Sequence, residues 1–341
     1  MATITHVGAD AAVYGGLIRE DCMEKIWDIS NIPLPYTEMC SKGTHSNRRV
    51  EFVTDELAAP QDNAVVEGAD PTQDDGKLGL RLGNYTQISV KRLIVTDTSE
   101  AANGIGGINS LSYQLKERQK ELRRDVEAQM LSHDASVAGD AATVPGKSAG
   151  IGAQLKTNVS VGATGAVGGF NTTTGLFVAP TPGTPRALSE TTIRDILQQV
   201  YEAGGNTTVA MARPVVIRKL SEYLFTSTAR IATMTAQQTQ NSPASLTAYG
   251  SVNVFVTDFG QTIKLRDNRL QQADAADVSS MYFLDPMHLK ESFLRGYQTE
   301  MLAKTGLSEK RLMSVQYSML VLNEKSQGAI LAIDETAAVV A

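Results

Sequence analysis

The 341 residues contain only two cysteines, Cys22 and Cys40, and four histidines, His6, His45, His133 and His288. Neither cysteine stands in a CxxC or Cys/His pattern, which excludes a recognisable zinc site. The histidines are isolated along the chain, so no metal or acid/base constellation is expected, and no cofactor. Both cysteines are predicted to be reduced and buried, because the chain carries no secretory signature. Its first residues, MATITHVGADAAVYGG, lack a basic n-region and an apolar h-region, so no signal peptide is expected. The N-x-S/T sequons at Asn84, Asn158, Asn171 and Asn206 then read as chance matches. No apolar run exceeds a few residues, which excludes a membrane-spanning helix. Bases do not outnumber acids: 31 stand against 37, for a net charge of -6. That speaks against a dedicated nucleic-acid reader, although not against passive contact. No repeat of 20–50 residues is visible.

What the chain does hold is enough apolar residue, 42%, for a sizeable core in about two domains. Residues 1–45 read as an arm. Leu17, Met23, Ile26 and Trp27 form the apolar side of a short helix over 16–29, and "IPLPY" (32–36) is extended by its prolines. Such an arm needs a surface to cover it, its own domain or a neighbour's.

Residues 46–100 read as one long hairpin. "NRRVEFVTDEL" places Val50 and Phe52 on one face, and "YTQISVKRL" does the same with Ile88 and Val90. Between them, residues 55–75 hold seven acids and no Lys or Arg. This tip is either a solvated loop or a ribbon that becomes ordered on a basic partner.

"GIGGINSLSYQLKERQKELRRDVEAQML" (104–131) joins three glycines to a charged helix. Ile108, Leu111, Leu115, Leu122, Val126 and Met130 form a narrow apolar stripe. Glu117/Lys120, Glu121/Arg124 and Arg123/Glu127 are spaced as helical ion pairs. A helix of about 25 residues would be ~37 Å long and would pack on one side, as a surface strut. The glycines could cradle a phosphate or act as a swivel.

Residues 139–185 contain ten Gly, eight Thr and three charges, and read as a loop-rich insertion ending in "APTPGTP" (179–185). A compact α/β region follows. Ser189 is positioned to cap a helix with Ile193, Ile196, Leu197 and Val200 inward. "TTVAMA" (207–212) reads as a strand, Pro214 starts a second helix, and 252–260 with 262–268 form a hairpin. Further strands are expected at 291–303 and at 312–322, with "AILAI" (329–333) pairing back on the latter.

Three stretches imitate chemistry. "GDAATVPGKSAG" (139–150) lacks the first glycine of a phosphate loop at the required spacing, and Pro145 removes an amide. Gly146-Lys147-Ser148-Ala149-Gly150 matches a nucleophile elbow, with Asp285 and His288 in hydrolase order, but the flanking strand and helix are missing. "DPTQDDGKLGL" (70–80) fails the EF-hand spacing and leaves at most weak divalent binding at Asp70, Asp74 and Asp75. Against an enzyme, with Ser148 as its one nucleophile, stand an arm, an acidic ribbon and a one-sided strut. Parts that cannot bury themselves suggest a subunit built for assembly.

The order of these parts resembles the major capsid protein of tailed phages, with the α+β Hong Kong 97-type fold. The blocks "SVKRLIVTDTSEAANGIGGINSLSYQLKERQKELRRDVEAQML" (89–131) and "SFLRGYQTEMLAKTGLSEKRLMSVQYSMLVLNEKSQGAI" (292–330) carry the resemblance, which covers about 17–333. It implies an N-terminal arm (1–45), an E-loop hairpin (46–100) and a peripheral domain (101–185) with a spine helix (104–134) and the Gly/Thr-rich loop (139–185). It also implies an axial domain (186–280) and return strands of the peripheral domain (281–341). The glycines become the swivel of the spine, with no phosphate required. The implied function is structural: self-assembly into hexamers and pentamers that close an icosahedral head around double-stranded DNA, built in the host cytoplasm and found in the virion. Packaged DNA would be touched non-specifically. Scaffolding, portal and decoration proteins are the other implied partners, and no membrane is. An encapsulin-like compartment shell is the alternative of the same architecture. Between subunits the acidic tip, with Asp70, Asp74 and Asp75, is expected to rest on bases of a neighbour. Those bases are Lys116, Arg118, Lys120, Arg123 and Arg124 of the spine, or Lys304, Lys310 and Arg311. Trp27 of the arm is a further expected contact.

Overall fold

The computed structural model describes residues 33–60, 62, 64–68, 78–102, 107–140, 142–226 and 254–340. The predicted helix over 16–29, Trp27, Cys22, Asp70, Asp74 and Asp75 lie outside them.

Two sheets organise the described chain. A four-stranded sheet has the order β1 (Ser41–Thr44), β12 (Leu289–Met301), β13 (Ser308–Val321), β4 (Gln87–Thr96). The first pair is parallel and the others antiparallel. Met313, Val315, Tyr317, Met319 and Val321 alternate along β13, and all five are buried in one cluster. Leu122, Val126 and Met130 of the long helix α3 (Leu111–Met130) join it. The helix is shorter than the 104–134 expected. Ser110 caps it, accepting a hydrogen bond from the Tyr113 amide at 3.4 Å. Before the cap Gly107 turns with φ +69°, a left-handed conformation open to glycine.

The second sheet has six strands in the order β5 (Val159–Ser160), β14 (Gly328–Asp334), β11 (Val278–Leu284), β8 (Val209–Ala212), β10 (Thr262–Asp267), β9 (Val254–Val256). Helices α5 (Glu190–Glu202) and α6 (Pro214–Thr226) belong to this half. Ser189 caps α5 as its sequence predicts, and Ile193, Ile196, Leu197 and Val200 are buried. Successive residues of the central strands serve two cores. Ala210, Ala212, Met281, Phe283 and Ile330 pack with α5 and α6, whereas Val209, Met211, Tyr282, Leu284 and Leu331 pack with α3. Burial on both faces explains why these strands read as unbroken apolar runs.

Three expectations are corrected. The hairpin closes between β2 (Arg49–Thr54) and β3 (Leu80–Tyr85), with Val50 opposite Asn84 and Phe52 opposite Leu82. β4 leaves the hairpin and pairs with β13 instead, because Leu93 and Val95 are buried. "AILAI" does not pair back on β13, whose edges are taken by β12, by β4 as far as Tyr317 and beyond it by the side chains of Asn84, Ser148 and Gln154. It crosses through a turn of 3₁₀ helix (Glu324–Ser326) into the other sheet.

The Gly/Thr-rich stretch is the third correction. Its α4 (Ile151–Gln154) is wholly buried, and Gly150 lies so close to Ser132 that a β-carbon would sit 2.2 Å from the Ser132 carbonyl oxygen. Beyond Tyr317, β13 has no β4 partner. There Ser148 accepts from the Met319 amide (3.1 Å), Asn84 and Gln154 donate to the Met319 carbonyl (2.7 and 3.2 Å), and Gln154 accepts from the Val321 amide (3.0 Å). Side chains finish the sheet edge that a strand leaves open.

Candidate functional site

The described surface leaves two apolar rows uncovered. Leu82, Leu80 and Leu78 alternate outward along the hairpin, with exposures of 8%, 49% and 97%. The body thus covers the root of the row, and among the described residues nothing covers its outer end, where Val53 and Leu57 are also exposed. On β4, Ile88, Val90 and Ile94 alternate on the face opposite Leu93 and Val95, each about half exposed. Arg92 is exposed within that row, and Lys310 stands across from Ile94. The root is held firmly. Arg48 donates to the Ala138 and Gly139 carbonyls, and Arg49 donates to Gly175 at 3.0 Å while lying over the Tyr85 ring. Rows of this kind mark interaction surfaces.

Most of the spine bases are engaged within the chain. Arg118 pairs with Glu121 at 2.7 Å and Lys120 with Glu117 at 3.1 Å. Arg123 lies 5.5 Å from the Tyr297 ring centre. Of the predicted helical pairs, only Glu117/Lys120 forms as spaced. Glu121 turns to Arg118, and Glu127 points inward. Lys116 is exposed and Arg124 half-buried. Among the other candidates, Lys304 pairs with Asp97 (2.8 Å), Arg311 with Glu309 (3.2 Å), and Lys310 donates to Thr305.

The stretches that imitate chemistry become structural. Ser148 is buried, and its hydroxyl lies between Asn84 and Met319, with no histidine or carboxylate among its partners. Asp285 and His288 bond each other at 2.8 Å, and Asp285 also caps the turn at Met287. The structure does bring His133, Asp274 and Ser280 together, a grouping spread too widely in sequence to be read there. Both Asp274 (2.6 Å) and Ser280 (3.1 Å) meet the same nitrogen, Nε2, and Ser280 also donates to Asp274. A relay needs nucleophile and acid on opposite ring nitrogens, so this cluster pins the loop after α3 to β11. Asn84 and Asn158 are buried, out of reach of any glycosylation. The Cys40 thiol is free and buried, and burial pushes its pKa upward, away from reactivity. Among the described residues, no three His, Cys, Asp or Glu side chains gather to hold a metal, and no helix is long and apolar enough to cross a membrane.

The charged helix also carries a buried acid that its periodicity does not announce. Glu127 is fully buried. It accepts hydrogen bonds from the Tyr36 amide (2.8 Å), the Thr37 amide (2.7 Å), the Thr37 hydroxyl and the Asn268 amide group (2.7 Å). It therefore joins α1 (Pro35–Met39), α3 and the segment after β10. The available signal is position: Glu127 follows Val126 and lies three residues before Met130, on their side of the helix. Beside it on β12 is Glu291, also fully buried, with no hydrogen-bond partner on either carboxyl oxygen. Burial, with the charge of Glu127 adding to it against the pull of Lys42, pushes the Glu291 pKa up to about 7.

The family model described as SU10 major capsid protein matches residues 3–334. A major capsid protein of Escherichia phage Phieco32 is 26% identical over 331 residues, covering 87% of this chain and 89% of that one. Among solved structures, the capsid asymmetric unit of cyanophage A-1(L) aligns with a TM-score of 0.58 at 12% identity, over 93% of this chain and 98% of that one. An encapsulin complex from Synechococcus elongatus aligns with a TM-score of 0.54 at 10% identity, over 98% of each chain.

Proposed function

The chain belongs to the SU10 major capsid protein family, and from that premise we propose how its surfaces build the shell. The protein is the major capsid protein of a tailed phage, it forms an icosahedral capsid, and its fold is the Hong Kong 97-type. Encapsulins share the fold, whereas the family match over 3–334 favours the phage head over an encapsulin compartment. In our reading copies cluster as hexamers and pentamers around double-stranded DNA, within the host cytoplasm. DNA meets the inner wall without sequence preference, and scaffolding, portal and decoration proteins meet the shell. A structural role is the whole role assigned, since Ser148 serves the sheet edge.

The four-stranded sheet with α3 is assigned as the peripheral domain, and the six-stranded sheet with α5 and α6 as the axial domain. The boundary is redrawn from the single cut at 280, because β11 and β14 lie with the axial strands. The hairpin is the E-loop. Its uncovered leucine row and its acidic tip, with Asp70, Asp74 and Asp75, dock on a second copy. Trp27 of the arm is assigned a contact of the same kind. The engaged state of Arg118, Lys120 and Arg123 moves the proposed target from the spine to the outer face of β4. There Ile88, Val90 and Ile94 supply apolar area, and Arg92 and Lys310 supply positive charge.

The observation that carries this reading is the rise in exposure from Leu82 to Leu78. The variant V90D/I94D is expected to give soluble, folded subunits and no closed particles by negative-stain microscopy. Normal particles from it would remove β4 from the interface. Failure of the wild-type chain to form particles at all would remove the shell itself.

A further inference from the structure

Glu291 is a buried acid with nothing to bond it. Buried polar groups are almost always paired, and an unpaired carboxyl in an apolar setting favours its neutral form. The groups around it come from each neighbouring element. β1 brings Lys42, which stands opposite Glu291 in the parallel register. α3 brings Glu127, and the end of α1 brings the Cys40 thiol. Its own strand brings Tyr297, and β13 brings Tyr317. Glu127 is satisfied by four donors, so any second negative charge in this space falls on Glu291.

The element that meets both acids is the chain from Pro33 to His45. β1 has four residues and one strand partner, β12. Three further bonds hold its ends: Ser41 Oγ to the Leu289 carbonyl (2.8 Å), the His45 amide to the Phe293 carbonyl (3.1 Å) and the His45 ring to Ser292 Oγ (2.7 Å). α1 hangs on Glu127.

We propose that Glu127 and Glu291 form a proton-controlled joint that fastens the incoming arm to the spine helix and to the segment after β10. The joint is closed while Glu291 holds a proton and loosens when the proton leaves. Two negative charges then share a buried space, and they are relieved by admitting water or by drawing the Lys42 ammonium inward. Either movement displaces β1 and α1. Because the closed form binds the proton more tightly than an open chain does, closure is strongest in acid, weakens as pH rises toward about 7 and is constant above it. His45 on the same segment works the other way. Burial lowers its pKa, so charging it in acid disfavours the closed form even though its 2.7 Å contact with Ser292 can be made in either state. The sign of the pH dependence therefore tells the two groups apart.

The test is hydrogen exchange of amides 36–45 in the purified full-length protein from pH 5 to 8, corrected for intrinsic rates. Opening is expected to rise by up to about tenfold per pH unit from pH 5 to 7 and to level off above. Glu291→Gln is expected to abolish that rise and keep the segment protected at pH 8. A wild-type profile that is flat or inverted overturns the joint, as does an E291Q profile that follows the wild type. If E291Q does not fold, Lys42→Met serves instead. Removing the facing cation should move the transition to higher pH, and a K42M profile that superimposes on the wild type overturns the joint as well.

Discussion

Ser148 shows how a side chain that looks catalytic can be structural. Its hydroxyl is the acceptor for a β13 amide that has no strand to pair with. Ser148→Ala leaves that amide unpaired and deprives Asn84 of a partner. Losing a buried hydrogen bond in this way costs about 1–3 kcal/mol. The expected result is a fall in subunit stability of about 2 kcal/mol by denaturant titration, with particles still forming at reduced temperature. Ester hydrolysis is expected to be equal, and at background, in both proteins. Activity lost with the serine would contradict this assignment. Glu127 belongs to the same lesson. Three neighbouring acids on α3 face ion pairs or solvent while Glu127 closes a joint, and spacing alone does not separate them. The partners that distinguish it, Thr37 and Asn268, are about ninety and one hundred and forty positions away in the chain.

At the scale of the element, α3 is anchored at one end. Leu122, Val126 and Met130 are buried, whereas the first three turns carry only half-buried apolar residues. Leu122→Ala should therefore cost about 2–5 kcal/mol, the range for emptying a core site, and Leu111→Ala less than about 1 kcal/mol. Chemical denaturation of both variants checks this, and equal losses would mean that the helix is gripped along its whole length. Much of this was legible in advance. The stripe, the Ser189 cap, the β13 alternation and the strands after Pro214 follow from local periodicity, which the chain expresses residue by residue. The course of β4 and β14 was not legible, because each pattern allows either of two partners. The choice is made by which edges are already filled, and that is a property of the assembled sheet. The buried role of 148–155 was hidden for a related reason: glycine and alanine look like loop composition until close packing, as of Gly150 against Ser132, demands them.

For the whole molecule, the open question is what holds copies together, and the two surfaces suggest a division of labour. Leu78, Leu80, Ile88, Val90 and Ile94 present apolar area that assembly can hide from water, worth roughly 25 cal/mol per Å². In the proposed interface the acids of 55–75, apart from Glu56, which bonds Lys325 at 2.6 Å within the chain, would meet a partner through exposed pairs that contribute only about 0–1 kcal/mol each. Charge of that strength steers approach and fixes register, while apolar burial supplies adhesion. Salt separates the two contributions, since at 1 M the screening length falls to about 3 Å. Assembly followed by light scattering is expected to slow several-fold between about 0.05 and 0.5 M salt, while particles already formed persist at the higher value. The charge-reversed variant D70K/D74K/D75K should assemble poorly at low salt and recover part of its rate as salt masks the repulsion from Arg92 and Lys310. Particles that dissolve in salt would assign adhesion to charge. A variant that assembles at the wild-type rate would take the acidic tip out of the interface and leave the apolar rows to guide subunits alone.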